Sequence, residues 1–195
     1  MPDRDTDGRL LDRAGGGDQS AFLELYERHR LPIFRFAYRL LGSIELAEDV
    51  THDCFLGLIR KPENFNPSRG SLRTYLYAAA RNLAMKHFRN VNREAALDDL
   101  SEDPVSPVRE EPLRQLLDQE LSAMVREAVQ NLSPLQREAL ILFEYEGLSL
   151  SEISTVVGSD VGVVKARLHR ARERLRNVLR QYLNSNQEIV TLKEA

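Results

Sequence analysis

Between positions 161 and 180 lie seven basic side chains, Lys165, Arg167, Arg170, Arg172, Arg174, Arg176 and Arg180, and one acid, Glu173. The local charge is +6 on a chain whose formal net charge is −3. A strongly positive segment on a weakly acidic protein is the electrostatic footprint of a nucleic-acid contact. Just before it, Ser149-Leu-Ser-Glu-Ile-Ser-Thr-Val-Val-Gly158 reads as the first helix and the turn of a helix-turn-helix. On the second helix Lys165, His169 and Arg172 recur at one-turn spacing and share a face, flanked by Arg167 and Arg170. The N-terminal part of such a helix enters the major groove, where Lys and Arg reach guanine O6 and N7. Lys165, Arg167 and His169 are therefore candidates for base edges. Arg172, Arg174 and Arg176 lie farther along and suit phosphates. Val161, Val164, Leu168 and Leu175 fall on another face, which must point inward. A basic helix alone also fits a solvated surface; the helix-turn-helix frame favours DNA.

Two further clusters could do chemistry. Positions 69–93 carry Arg69, Arg73, Arg81, Lys86, Arg89 and Arg93 with no Asp or Glu. Tyr75, Tyr77 and Phe88 interleave with them, and Phe65 precedes them. Cations hold a sugar–phosphate backbone and aromatic faces accept unstacked bases, so this stretch suits single-stranded or opening DNA. The competing reading is that Tyr75, Leu76, Leu83 and Phe88 are core. The other cluster is acidic: Glu48 stacks over His52 and Asp49 over Asp53, while Ala47, Val50, Cys54 and Leu58 face the opposite way. Like charges one turn apart suggest a basic protein partner, and a plain solvated face explains them equally well.

The elements that must position these residues are helices; no convincing strand is found. Asp18 precedes an apolar stripe through Phe22, Leu25 and Tyr26, and Pro32 should kink or break that helix. The stripe resumes from Ile33 to Leu41, with Gly42 as C-cap. Ser43 caps a helix to about Arg60. Positions 61–70 form a Pro/Gly loop, and Ser71 caps a helix to about Asn92. Residues 93–111 hold seven acids and two arginines and read as an extended acidic linker. A helix over 113–130 follows. Ser133-Pro-Leu-Gln136 and Ser149-x-x-Glu152 read as capping boxes, Gly147 and Gly158 as stops, and Ser159 as a cap for the last helix. The expected architecture is all-α: a tail over 1–17, a helical domain over 18–92, a linker over 93–112, a helix-turn-helix domain over 113–183, and a tail over 184–195.

Composition narrows the function. Hydrophobic content of 42% and charged content of 29% over 195 residues fit a globular chain. No apolar run approaches a membrane span, and the acidic N-terminus is unlike a secretory signal. Cys54 is the lone cysteine, and His29, His52, His87 and His169 are scattered. No metal site or internal disulfide is expected, which points to a reducing cytoplasm. A glycine-rich phosphate loop and a spaced nucleophile–base pair are also lacking, so no enzymatic activity and no cofactor are expected.

The order of the parts resembles a family. The segment Ala47-Glu-Asp-Val-Thr-His-Asp-Cys-Phe-Leu56 precedes Phe65-Asn-Pro-Ser-Arg-Gly-Ser-Leu-Arg-Thr-Tyr-Leu-Tyr77 and Ala80-Arg-Asn-Leu-Ala84. Leu132-Ser-Pro-Leu-Gln-Arg-Glu138 and the basic segment 161–175 follow. The chain resembles the extracytoplasmic-function (ECF) group of bacterial RNA polymerase sigma factors over about 17–92 and 113–180. The resemblance implies a sigma region 2-like bundle and a region 4-like helix-turn-helix. It implies a transcription initiation factor that binds core RNA polymerase through the beta-prime clamp helices and the beta flap. Glu48, Asp49, His52 and Asp53 would dock on the polymerase clamp. Phe65, Asn66, Arg69, Arg73, Tyr75, Tyr77, Arg81, Asn82, Lys86 and Arg89 would bind minus-10 DNA, with Asn82 at a flipped-base pocket. Ser159, Gly162, Val163, Lys165, Arg167, His169, Arg170 and Arg172 would read the minus-35 duplex. An anti-sigma factor is a further partner by resemblance, and the acidic linker would run toward the RNA exit path. Here His52 replaces a common glutamine, Tyr75 a tryptophan, Val163 a threonine and Asp160 a proline. An autonomous helix-turn-helix repressor or activator, dimeric on a palindrome, remains the main alternative, and a small nucleic-acid hydrolase a weaker one.

Overall fold

The computed structural model describes residues 4–95 and 123–193, with side-chain surroundings for 6–89 and 125–180. Every regular element among the described residues is helical. The first module comprises α1 (Arg4–Gly15), α2 (Gln19–Leu41), α3 (Ile44–Arg60) and α4 (Leu72–Ala95), with a short 3-10 turn at Pro62–Asn64. The second comprises α5 (Ala123–Gln130), α6 (Pro134–Leu140), a π turn over Ile141–Tyr145, α7 (Leu150–Val157) and α8 (Val161–Lys193). The acidic linker beyond Ala95 and the start of the expected 113–130 helix lie outside the described residues.

Local chemistry sets most of the boundaries. The Asp18 carboxylate accepts from the Ser20 hydroxyl, the Ala21 and Ser20 amides and Arg13, which depresses its pKa and opens α2. Gly42 closes α2 at φ 78, where a side chain would be strained and would press on Gln130. Ser43 caps α3 through the Leu46 amide, and Ser71 accepts from the Thr74 amide at the head of α4. Ser149 and Glu152 form a reciprocal capping box on α7, and Gly158 turns the chain at φ 63 toward α8.

Five expectations are corrected. Pro32 does not end α2, which runs unbroken from Gln19 to Leu41. Pro32 lacks one backbone donor, yet His29, Ile33, Phe34 and Phe36 around it are buried, and that packing outweighs a single lost hydrogen bond. The expected N-terminal tail contains α1, anchored by buried Leu10, Leu11 and Ala14. Its buried Asp7 accepts from Arg28 at 2.5 Å and pairs with His29 at 2.9 Å; burial lowers the His29 pKa while Asp7 works against that. Ser133 makes no side-chain cap, because the Gln136 amide is taken by the Ser133 carbonyl at 2.9 Å. Asp160, not Ser159, directly precedes α8. Finally, α8 continues to Lys193, so the expected C-terminal tail is helical over most of its length.

The two modules share one continuous apolar core. Phe36, Leu40, Phe55, Leu76 and Tyr77 of the first join Ile141, Leu142, Ile153, Val156 and Val164 of the second. Each large apolar side chain buried there contributes roughly 1.5–3 kcal/mol. A smaller cluster of Val129, Leu132, Leu140, Leu168 and Ala171 holds α5 and α6 onto α8. Restoring the missing donor in α2 should stabilise the fold: Pro32→Ala is expected to raise the free energy of urea unfolding by up to about 3 kcal/mol. An unchanged or lower midpoint would mean that the proline fits its turn without cost.

Candidate nucleic-acid interface

The last helix presents two faces. Val164, Leu168 and Ala171 are buried, with Val161 and Leu175 half-buried beside them. Gly162, Val163, Lys165, His169, Arg170 and Arg172 are exposed, and Ser159 is half-buried in the turn. A shallow groove of about 300 Å³ joins Lys165, His169, Arg172 and Arg176 along this face. Arg172 is already engaged: it donates to Glu144 at 2.6 Å and lies 5.1 Å from the centre of the Phe143 ring. Arg167 turns inward and pairs with Glu138 at 3.1 Å. The structure thus brings Lys165, His169, Arg170 and Arg172 onto one surface and withdraws Arg167 from it.

The α4 residues divide in the same way. Asn82, Lys86 and Arg89 are exposed, as are Asn66 and Arg69 in the preceding loop. Asn66 orders that loop by accepting from the Ser68 amide at 2.9 Å and the Ser68 hydroxyl at 2.7 Å. Phe65 packs edge-on to Tyr75 at 5.7 Å. Beside Tyr75 a groove of about 350 Å³ is lined by Asn82, Asp53, Cys54, Arg60, Lys61 and Asn64, among others. This slot gathers the Tyr75 ring, the amides of Asn64 and Asn82, the cations Arg60 and Lys61 and the Asp53 carboxylate, groups able to stack on and hydrogen-bond an unstacked base. Arg60 was not foreseen as a site residue; Lys61 and Asn64 fall in the loop over 61–70, which the family resemblance implies for the minus-10 strand. Asp53, expected on the acidic ridge, lines this slot as well as the ridge groove.

Tyr77, Arg73 and Arg81 are not free to meet a strand in this conformation. Tyr77 is fully buried, edge-on to Phe36 at 5.4 Å, and its hydroxyl donates to Glu146. Burial raises its pKa, and Glu146 adds to the shift. Arg73 donates to the Glu146 carbonyl, and Arg81 donates from Nε to Glu138 Oε2 at 2.8 Å. Tyr77, expected to face the minus-10 strand, is instead core, since its ring packs on Phe36 between α2 and α4.

Glu138 and Glu146 went unforeseen. Glu138 is 0% exposed, held by Arg81 and Arg167. Burial pushes its carboxyl above the usual range, while the Arg81 hydrogen bond and both arginine charges pull it down. A signal existed: Glu138 lies one turn before buried Leu142, an acid on an apolar stripe. Glu146 follows the π turn, in which its amide bonds the Ile141 carbonyl at 3.1 Å. That extra residue in the turn has no counterpart in the hydrophobic period.

On α3 the acidic ridge is exposed as the spacing implied. Glu48, Asp49, His52 and Asp53 line a groove of about 600 Å³ together with Tyr26, Leu31 and Phe34 of α2 and His87 of α4. Among the described residues, no cluster of His, Cys, Asp and Glu has the makings of a metal site.

With the geometry in hand, the chain can be compared with known proteins. A family model described as Sigma-70 region 2 matches residues 25–94, and one described as Sigma-70, region 4 matches residues 122–175. The ECF RNA polymerase sigma factor SigE of Mycolicibacterium smegmatis is 33% identical over 172 residues, which cover 85% of this chain and 65% of SigE. The chain therefore spans just under two thirds of that relative's length. The RNA polymerase sigma-H factor of Pseudomonas aeruginosa is 30% identical over 191 residues, 94% of this chain and 98% of that protein. Among solved structures, the sigma factor RpoE in complex with the anti-sigma factor NepR from Bartonella quintana superposes with a TM-score of 0.65 at 25% identity, over 82% of this chain and 96% of that one. CnrH, in complex with the cytosolic domain of CnrY, shares the fold with a TM-score of 0.66 at 24% identity, over 90% and 98% of the two chains.

The lone thiol reports on the slot beside Tyr75. Cys54 is 2% exposed, bonds the Leu76 carbonyl at 3.5 Å, and burial pushes its pKa up to about 12. Burial thus keeps the thiol protonated and shielded from reagent. A chromogenic disulfide reagent should therefore label native protein far more slowly than urea-unfolded protein. Comparable rates would mean that the wall of the slot opens readily.

Proposed function

Because the chain belongs to the ECF group of sigma-70 RNA polymerase sigma factors, we propose that it directs core RNA polymerase to promoters and has no catalytic activity of its own. Its workplace is the cytoplasm, where polymerase acts, and no described helix is long and apolar enough to cross a membrane. The α3 ridge of Glu48, Asp49, His52 and Asp53 docks on core polymerase. The exposed face of α8, with Lys165, His169 and Arg170, reads the minus-35 duplex. The slot between Tyr75 and Asn82 takes an unstacked base of the minus-10 strand, with Lys61, Arg69, Lys86 and Arg89 along the backbone. The observation that carries this reading is that slot, which sets the Tyr75 ring beside Asn64, Asn82, Arg60 and Lys61 between α3 and a helix whose 69–93 segment has no acid. Unstacking costs a few kcal/mol, and phosphate neutralisation with release of counterions offsets it. Since RpoE of Bartonella quintana was solved with its anti-sigma factor, a protein antagonist covering the DNA-reading faces is also proposed here.

Purified core polymerase plus this protein should yield promoter-specific transcripts; no affinity between the two would sink the proposal. At residue level, Arg170→Ala should weaken duplex binding by the holoenzyme and lower its salt slope by about one. Asn82→Ala should leave duplex binding nearly intact and reduce permanganate reactivity of melted thymines. Equal loss of upstream binding in both variants would contradict the division of labour.

A further inference from the structure

The surface proposed to meet the upstream duplex is divided by charge. Basic side chains run along α8 in two rows at helical spacing, Lys165, His169, Arg172 and Arg176 on one side, Arg170 and Arg174 on the other. All of them are exposed. Arg167, held by Glu138 at 3.1 Å, points into the seam between the two modules and belongs to neither row. Glu173, farther along between the rows, lies 3.6 Å from His169. The first turn of the helix carries no charge: Val161, Gly162, Val163 and Val164 follow the exposed Asp160 and precede the first cation at Lys165. Val164 is buried and Val161 half-buried, which leaves Gly162 and Val163 as the outer surface of this turn. Its backbone is fixed by the Asp160 carbonyl, which accepts from the Val163 and Val164 amides at 3.0 and 3.1 Å.

The fold explains neither outer residue. A Cβ on Gly162 would meet no atom within 4 Å. Nothing inside the protein therefore requires a glycine there, and glycine weakens a helix relative to alanine. Val163 is 42% exposed. A β-branched residue is a poor helix former, and its methyl groups gain nothing when left in water. Both residues acquire a reason once something packs on this turn: the glycine admits a close approach, and the valine offers methyl groups to an apolar partner.

A duplex supplies that partner. The major groove is about 12 Å wide and a helix with its side chains about 10–12 Å across. A helix seated in the groove therefore sets one row of side chains against each phosphate wall, and the two basic rows suit those walls. The N-terminal turn is what reaches the base edges, here Gly162 and Val163. Neither has a side-chain donor or acceptor for a polar edge. Among the four bases, the apolar group on the floor of the major groove is the 5-methyl of thymine.

We propose that Val163 is a specificity-determining residue that reads a thymine 5-methyl group in the minus-35 element, with Gly162 providing the clearance that lets it reach. This rests on the function proposed above. The contact discriminates by shape: adenine, guanine or cytosine at that position sets Val163 against a polar edge, and uracil differs from thymine by the methyl alone.

The test uses the full chain with core polymerase. Duplexes selected by the holoenzyme from a pool randomised upstream give the element, and each thymine in it is replaced in turn by deoxyuridine. At one position or two adjacent ones, uracil should weaken binding of the wild-type holoenzyme about fourfold, the worth of one buried methyl group. Val163→Ser should bind thymine and uracil there equally, and Val163→Thr, which keeps one methyl, should retain part of the discrimination. Arg170→Ala should weaken both duplexes alike and leave their ratio unchanged. Gly162→Ala should raise the thermal midpoint of the free protein yet lower duplex affinity about tenfold, as overfilling a tight contact does. An element without thymine, no uracil penalty at any position, or the same penalty in Val163→Ser would overturn the proposal, as would unaltered affinity in Gly162→Ala. Failure of the chain to bind core polymerase would instead overturn the sigma-factor reading, and the same selection and uracil scan on the free chain would still decide what Val163 contacts.

Discussion

A carboxylate buried out of reach of water must be paired, and Glu138 is the place where this fold meets that demand. Its two oxygens are taken by Arg81 from the first module and Arg167 from the second. Removing one partner from a buried pair typically costs about 3–5 kcal/mol, more than the pair contributes relative to an apolar replacement. Glu138 therefore acts as a specifier of arrangement: it allows α6, α4 and α8 to meet in one register. Beside it, Arg137 is held differently, donating to the Leu40 carbonyl at the end of α2 and to the Leu132 carbonyl.

The seam is mixed in character. Its apolar part, with Phe36, Leu76 and Tyr77 against Ile141, Leu142 and Ile153, is indistinguishable from the interior of either module. Its polar part uses guanidinium groups of the kind that nucleic acid recruits. Surfaces built for phosphate carry uncompensated positive charge, and a chain that leaves two such surfaces facing water repels itself. Turning a few acids toward them relieves this. Arg172 with Glu144 on the outer face of α8 shows the same compensation at an exposed site, where it is worth little.

The acidic ridge of α3 and the α4 slot share a wall. Asp53 lines both grooves, and Cys54 lies beneath it. The polymerase contact proposed for the ridge thus adjoins the pocket proposed to hold a base. A single helical turn of α3, Asp53 to Gly57, borders both grooves, so the two proposed contacts lie side by side.

Much of this was readable from the chain. Asp18, Gly42, Ser43, the Ser149–Glu152 box and Gly158 set their helix ends through bonds to neighbours within a few residues, and such bonds depend on sequence alone. The exposed face of α8 and the inward face of α3 follow from period, as does the acidic ridge. What the sequence could not settle depended on partners distant along the chain. Pro32 stays inside α2 because tertiary packing overrides a local cost. Tyr77 is core because Phe36 and Glu146 surround it. Arg73, Arg81 and Arg167 border the apolar stripes of their helices, one turn from Tyr77, Ala84 and Val164, while Lys86 and Arg170 face away; period places them there, but only the acids brought up by α6 and the π turn pair them. A local pattern determines which face a residue occupies; the free energy of burying a charge determines what that face must meet, and only the folded chain supplies the partner.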